Sequence, residues 1–300
     1  MKRVHEGKTY TVETFFNIRC QSLQLYKKYF RMKKYILTTL IALLVFTSCS
    51  EYQSLLKSTD PELKYDKAVE FFVAEKYDKA ITLFDDVTSY FRNTDRSELI
   101  INYLAKANMA KKDYLTAGEY YKTYAKSYPA GRFIQEAKFG IAYCYYLDSP
   151  DVRLDQAPTV QAVNAFQEYI DLYPESEKVK EANKYLTELN DKLAQKELIN
   201  ADLYYNLGTY LGNNYLSAVI TAENALKKYP GTKHREDLMI VILESKYQQA
   251  LYSEELLKTD RYQATIDEAY TYKNEYPEGK HIKRTDEILK ISEKNIPVVN

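Results

Sequence analysis

Between Tyr65 and Val87 the apolar positions recur with a helical period that is broken once, in the stretch YDKAVEFFVAEKYDKAITLFDDV. Ala68, Phe71 and Phe72 belong to a first predicted helix. Tyr77, Ala80, Phe84 and Val87, spaced three, four and three apart, share one face of a second, and the two join at Glu75–Lys76. A small residue lets two helix axes approach, and the neighbouring ring fills the groove beside the crossing. Such a pair cannot bury its apolar surface alone, so the pattern predicts further pairs of the same kind.

Those pairs are marked by four Tyr-Pro dipeptides, at Pro129, Pro174, Pro230 and Pro277. Proline cannot continue a helix and disfavours helical backbone in the residue before it, so each dipeptide is a predicted helix end. Twelve residues before the prolines stand Ala117, Ala162, Ala218 and Thr265. Eight before them stand Tyr121, Phe166, Ala222 and Ala269, and five before them Tyr124, Tyr169, Ala225 and Tyr272. Tyr77–Val87 fits the same frame, with Arg92 at the proline position. This is the tetratricopeptide pattern. It predicts an all-α fold, a right-handed superhelix of about five helix pairs.

The frame is irregular. Asn108 stands where an aromatic is usual, an insert Asp148–Pro158 precedes the third unit's second helix, and Glu177–Leu211 reads as one or two long helices with a seam of Leu186, Leu189 and Leu193. Glu236–Leu257 also reads as a long helix, with Asp260 as the cap of the next. The longest spacing, between Pro174 and Pro230, suggests an N-terminal half over 61–175 and a C-terminal half over 176–300.

Ahead of the repeats, Met32–Cys49 reads MKKYILTTLIALLVFTSC. A basic start, an apolar run too short to span a bilayer comfortably, and small residues before a cysteine form a secretory signal over 32–48 that resembles the bacterial lipobox. Cys49 is then the lipidated residue, and acylation by two or three chains anchors a protein stably. On this reading Met32 is the initiator, 1–31 is an upstream extension without structural weight, and 49–60 is a tether. No acidic run follows Cys49, which favours an anchor facing the periplasm.

Composition narrows the function. The formal net charge is zero, but residues 1–48 hold 9 basic and 2 acidic side chains, leaving the remainder moderately acidic. That excludes the basic footprint of a nucleic-acid binder. Past residue 48 there are only two histidines, His234 and His281, which read as solvated surface residues, and Cys144, which reads as a buried thiol in an aromatic helix. No phosphate loop, metal-ligand spacing or nucleophile–base pair is present, so no catalytic residue, metal or cofactor is expected. Tyrosine is abundant, with 31 copies against 11 Phe and no Trp. Phe72, Tyr103, Tyr143 and Tyr146, on first helices, are the candidates for contacting an extended peptide in the concave face.

The order of these features resembles the BamD (YfiO) family of outer-membrane-protein assembly lipoproteins. The likeness rests on Cys49 followed by the first repeat, on Leu154–Ser176 with Asp155-Gln156 and Thr159, on the long helix Tyr185–Tyr205 ending in paired aromatics, and on the corner at Tyr229-Pro230. Ala157-Pro158 interrupts the family's Asp-Gln-Thr loop. The resemblance implies an outer-membrane protein, lipid-anchored and facing the periplasm. It implies as partners the β-barrel translocase, its accessory subunits and unfolded outer-membrane proteins, the N-terminal repeats taking the client and the C-terminal repeats the translocase. The alternatives are another periplasmic repeat lipoprotein serving the cell wall or secretion, and a glycan-binding one; the latter is disfavoured by the absence of Trp.

Overall fold

The computed structural model describes residues 51–296, together with 3–5, 8–10 and 33. Cys49 and, apart from Lys33, the signal segment 32–48 lie outside the described residues. Strands β1 (Arg3–His5) and β2 (Lys8–Tyr10) form an antiparallel hairpin with Val4 opposite Thr9, an element the hydrophobic pattern does not announce. Residues 51–57 are helical (α1). Then follow α2 (Pro61–Val73), α3 (Tyr77–Thr88), α4 (Asp95–Ala110), α5 (Tyr114–Ser127), α6 (Ile134–Asp148) and α7 (Ala157–Leu172). The C-terminal part adds α8 (Val179–Leu207), α9 (Asn214–Lys228), α10 (Arg235–Leu251), α11 (Glu255–Glu275) and α12 (Ile282–Lys294).

Local chemistry sets the helix starts. Asp60 accepts hydrogen bonds from the Glu62 and Leu63 amides at 3.0 and 3.2 Å, with Pro61 at the first helical position. Asp113 and Asn213 cap α5 and α9 in the same way. From α2 on, each helix packs on the next, and α6, α8, α10 and α12 also touch one another in succession. The even-numbered helices therefore form one wall and the odd-numbered helices the other, in a stack of five pairs, α2–α3 to α10–α11, closed by α12.

The frame read from the sequence is the core. Every residue twelve, eight or five positions before the four corner prolines is buried, with Ala117, Ala162, Ala218 and Thr265 fully so. The first unit matches through Ala68, Ala80, Phe84 and Val87. Asn108 is also buried, and its amide donates to the Leu104 carbonyl at 2.8 Å, so its polar head is satisfied within its own helix.

The corners are closed by a side-chain latch. Tyr124 is buried; its hydroxyl donates to Glu98 of α4 and accepts the Phe133 amide at 2.9 Å, while the same Glu98 oxygen accepts the Arg132 amide at 3.0 Å. Tyr272, Glu236, Lys280 and His281 repeat this arrangement three helix pairs further along the chain, with Tyr272 donating to Glu236 at 2.6 Å. Gly131 and Gly279 occupy the site facing each latch. A Cβ on Gly131 would lie 2.5 Å from the Tyr124 hydroxyl, and one on Gly279 2.7 Å from the Tyr272 hydroxyl. At the other two corners Ser176 and Thr232 replace the glycine and their hydroxyls enter the network, with Gln135 and Tyr169 in one case and Asp191 in the other.

Two helix boundaries differ from expectation. α10 stops at Leu251 and α11 starts at Glu255, so Asp260 is inside a helix and caps nothing. The apolar pattern runs on through Leu256 and Leu257, which hides the break, but Leu256 is 92 % exposed. The turn is fixed instead by Ser253, which donates to the Gln249 carbonyl and accepts from Arg261.

Candidate functional site

The four candidate rings fall into two groups on the even-numbered wall. Phe72 of α2 meets Tyr103 of α4 with ring centroids 4.8 Å apart, and Tyr103 stacks on the buried Phe84 at 5.2 Å. Tyr143 and Tyr146 of α6 stack 5.9 Å apart. Both also touch Tyr185 of α8, at 5.3 and 4.4 Å, and Tyr185 lies 5.5 Å from Phe166. The ring missing from the sequence reading is Tyr185. It stands three residues past the buried Ala182 and four before the buried Leu189, a spacing that could have singled it out.

All four candidates, and Tyr185, are half-buried. Each packs between repeats with one face and leaves part of the ring open. Their hydroxyls are fixed where an acceptor is near: Tyr146 donates to Glu188 at 2.6 Å and Tyr185 to Glu181 at 2.8 Å. The Glu188 carboxylate, with burial, pushes the Tyr146 phenol up to about 12. These groups stay protonated at neutral pH. The surface offers flat aromatic area with fixed polar tips, suited to apolar and aromatic side chains of an extended segment and unsuited to proton transfer.

The other reactive side chains are placed structurally. Cys144 is buried against Gly118, and burial pushes its thiol up to about 12, so it is not a nucleophile. The two histidines are not free surface groups. His234 and His281 precede α10 and α12 and are half-buried near Asp237, whose Oδ1 lies 3.5 Å from His281 Nε2 and also pairs with Lys280. Burial and Lys233 lower the His234 pKa. His281 and Asp237 meet because each lies at the start of an even-numbered helix, a proximity that sequence distance conceals. Among the described residues no group of three or more His, Cys, Asp or Glu side chains is placed to hold a metal.

The insert forms a closed unit. Gln156 donates to the Asp151 and Leu154 carbonyls, accepts from the fully buried Thr159 at 2.8 Å, and so fixes the loop that the sequence singled out. Pro158 sits in the first turn of α7, and Lys192 and Lys196 of α8 donate to Ser149 and Arg153. A second exposed surface was not foreseen. At the α8–α9 and α10–α11 turns, Tyr210, Leu211, Tyr252 and Leu256 are 68, 89, 67 and 92 % exposed, and Tyr215 at the start of α9 stacks on Tyr252. Leu211 also has a positive φ of 54°, so it is both strained and exposed.

The chain is similar to the outer membrane protein assembly factor BamD of Caulobacter vibrioides (strain ATCC 19089 / CIP 103742 / CB 15), with 25 % identity over 184 residues, 61 % of this chain and 59 % of that protein. It thus spans about three-fifths of the length of that relative. A solved structure, the TPR2AB domain–pHSP90 complex of yeast Sti1, covers 78 % of this chain and 98 % of its own at 12 % identity and a TM-score of 0.36, too distant to bear on function. Residues 57–254, from the end of α1 to the turn before α11, match the YfiO family, described as an outer membrane lipoprotein, and the chain belongs to that family.

Proposed function

We propose that this protein is a lipid-anchored, periplasm-facing subunit of the β-barrel assembly machinery of the outer membrane. It binds unfolded outer-membrane proteins and the periplasmic domains of the translocase, and it has no catalytic role. The observation that carries the reading is the family match across the stacked pairs, from residue 57 to residue 254. The BamD relative, an outer membrane protein assembly factor, supports it. In this reading the half-exposed rings Phe72, Tyr103, Tyr143 and Tyr146, with Tyr185, take an extended client segment. The exposed Tyr210, Leu211, Tyr252 and Leu256, at two turns linked by the Tyr215–Tyr252 stack, dock the translocase, since exposed apolar patches mark interaction surfaces.

The test is co-purification after mild detergent extraction. Recovery of a β-barrel translocase is the expected result. Recovery of cell-wall or secretion components, or of no translocase, overturns the reading. A Cys49→Ala variant is expected to lose its acyl chains; unchanged incorporation of labelled fatty acid would remove Cys49 as the anchor.

A further inference from the structure

The strongest unassigned feature is a groove of about 910 Å³ between α1, the start and end of α2, and the start of α3. Its apolar lining is Tyr52, Leu55, Leu63 and Phe71. Lys57, Lys67, Lys76 and Lys79 also line it, against two carboxylates, Glu51 and Glu70. Lys67 pairs with Glu70 at 2.6 Å. Among the described residues no carboxylate pairs with the other three. Lys79 is held with its ammonium 4.7 Å from the Tyr52 ring centroid and 5.4 Å from that of Phe71. A net-cationic lining beside apolar side chains is unusual here, because the chain beyond residue 48 is acidic overall.

The groove is also rigidly built. Lys64, 8 % exposed, donates from Nζ to the Leu56 carbonyl at 3.1 Å and pairs with Asp86 of α3, clamping the end of α1 onto the first helix pair. Glu51, the first lining residue, is two residues past Cys49. Two peptide steps reach at most about 8 Å. With Cys49 acylated, the mouth of the groove therefore lies against the headgroup layer.

We infer that this groove binds the phosphate-bearing headgroup of an anionic phospholipid, and that the contact fixes the tilt of the repeat array on the membrane. The inference rests on the lipid-anchor reading of Cys49. Acyl chains alone hold the protein to the surface but let it swivel. A lysine near an anionic surface contributes about 1 kcal/mol, so three unpaired lysines suffice to select one orientation.

The chain has no Trp, so Leu63→Trp places a single fluorophore on the groove wall. The lipid-anchored protein is reconstituted into phosphatidylethanolamine vesicles with or without phosphatidylglycerol, each doped with a headgroup-labelled quencher. Anionic lipid is expected to raise the quenched-to-free ratio by roughly fivefold or more, the equivalent of one lysine's contribution. Replacing Lys57, Lys67, Lys76 and Lys79 by Gln is expected to abolish the difference while flotation is unchanged. Charge-independent quenching in floating protein overturns the groove alone. Failure to float overturns the anchor and the groove together. Loss of the effect on adding inorganic phosphate to the same vesicles shows a soluble-phosphate site and overturns the lipid assignment. Tyr52→Trp as a second probe must give the same ranking, and a different ranking counts against the site.

Discussion

Tyr124→Phe removes one oxygen from the latch between α5 and α6 and is expected to cost about 2–3 kcal/mol. The Phe133 amide, which donates to that oxygen at 2.9 Å, loses its partner at a helix start, and Glu98 loses a donor. An orphaned, largely buried donor costs about 1–3 kcal/mol, and a hydrogen bond to a charged group contributes about 1.5–3 kcal/mol; Glu98 keeps the Arg132 amide, so the two do not add fully. The Gly131→Ala change attacks the same point by crowding, since its Cβ would meet the Tyr124 hydroxyl at 2.5 Å and Glu98 Oε1 at 2.8 Å. Overpacking of this kind costs about 1–3 kcal/mol. Removing the hydroxyl vacates part of the space the new methyl needs, so the double variant must be less destabilised than the sum of the two. Urea unfolding followed by circular dichroism gives the three values, and native-state hydrogen exchange over 131–140 localises them. Additive costs, or a Tyr124→Phe variant within about 0.5 kcal/mol of wild type, the scatter of an ordinary surface change, would refute the latch.

Further expectations follow from the same geometry. Lys64→Met leaves Asp86 and the Leu56 carbonyl without their cation, so exchange over residues 51–57 should rise to the level of a frayed end while α5 to α12 are unaffected; unchanged exchange removes the clamp. Cys144 should resist alkylation at pH 8 in the folded protein and react on unfolding, because burial pushes it up to about 12; stoichiometric native labelling would contradict its burial. Burial raises the Tyr120 phenol, and the hydrogen bond to Glu188 together with burial raises that of Tyr146, each to about 12, above the unfolded value of 10.0. Below pH 10 both states hold these protons; above it the unfolded chain releases them first. Stability should thus be flat up to about pH 9 and fall between pH 10 and 12, and a decline already complete by pH 9 would refute the sign.

The walls of the array were legible because a small residue survives at one frame position in every unit: Ala80, Ala117, Ala162, Ala218 and Thr265 are all fully buried there, although the ring four residues on, Phe84, Tyr121 and Phe166 in the first three units, gives way to Ala222 and Ala269 in the last two. The candidate site was legible only in part. Phe72 and Tyr103 occupy first helices with regular spacing, but the partner of Tyr143 and Tyr146 is Tyr185, 39 residues beyond Tyr146 and across an insert. No local period reports a contact made by stacking one pair on the next. The exposed turn residues were hidden for the opposite reason. Leu256 and Leu257 extend an apolar period past the real end of α10, and only the Ser253 turn shows that this leucine pair begins a new helix at the surface.

The latches also explain why the spacing between Pro174 and Pro230 is the longest. At each corner the polar partner comes from the preceding even-numbered helix. Glu98, Gln135 and Glu236 are the fourth, second and second residues of α4, α6 and α10, whereas Asp191 is the thirteenth of α8. About ten residues of α8 therefore precede the point at which the corner frame resumes, roughly 15 Å of helix at 1.5 Å per residue. That segment is occupied: Ala182 and Leu189 belong to the core with Phe166, while Leu198, Ala201 and Tyr205 pack with Ala218 and Leu238. One helix thus serves two successive cores, with the second shifted along its axis. The shift places the α8–α9 turn, with Tyr210 and Leu211, beyond the level at which Lys196 meets the insert. The irregular spacing is the feature that separates the ring groups, which end at Tyr185 near the start of α8, from the exposed apolar side chains of the α8–α9 and α10–α11 turns, the two surfaces proposed above for a client and for the translocase.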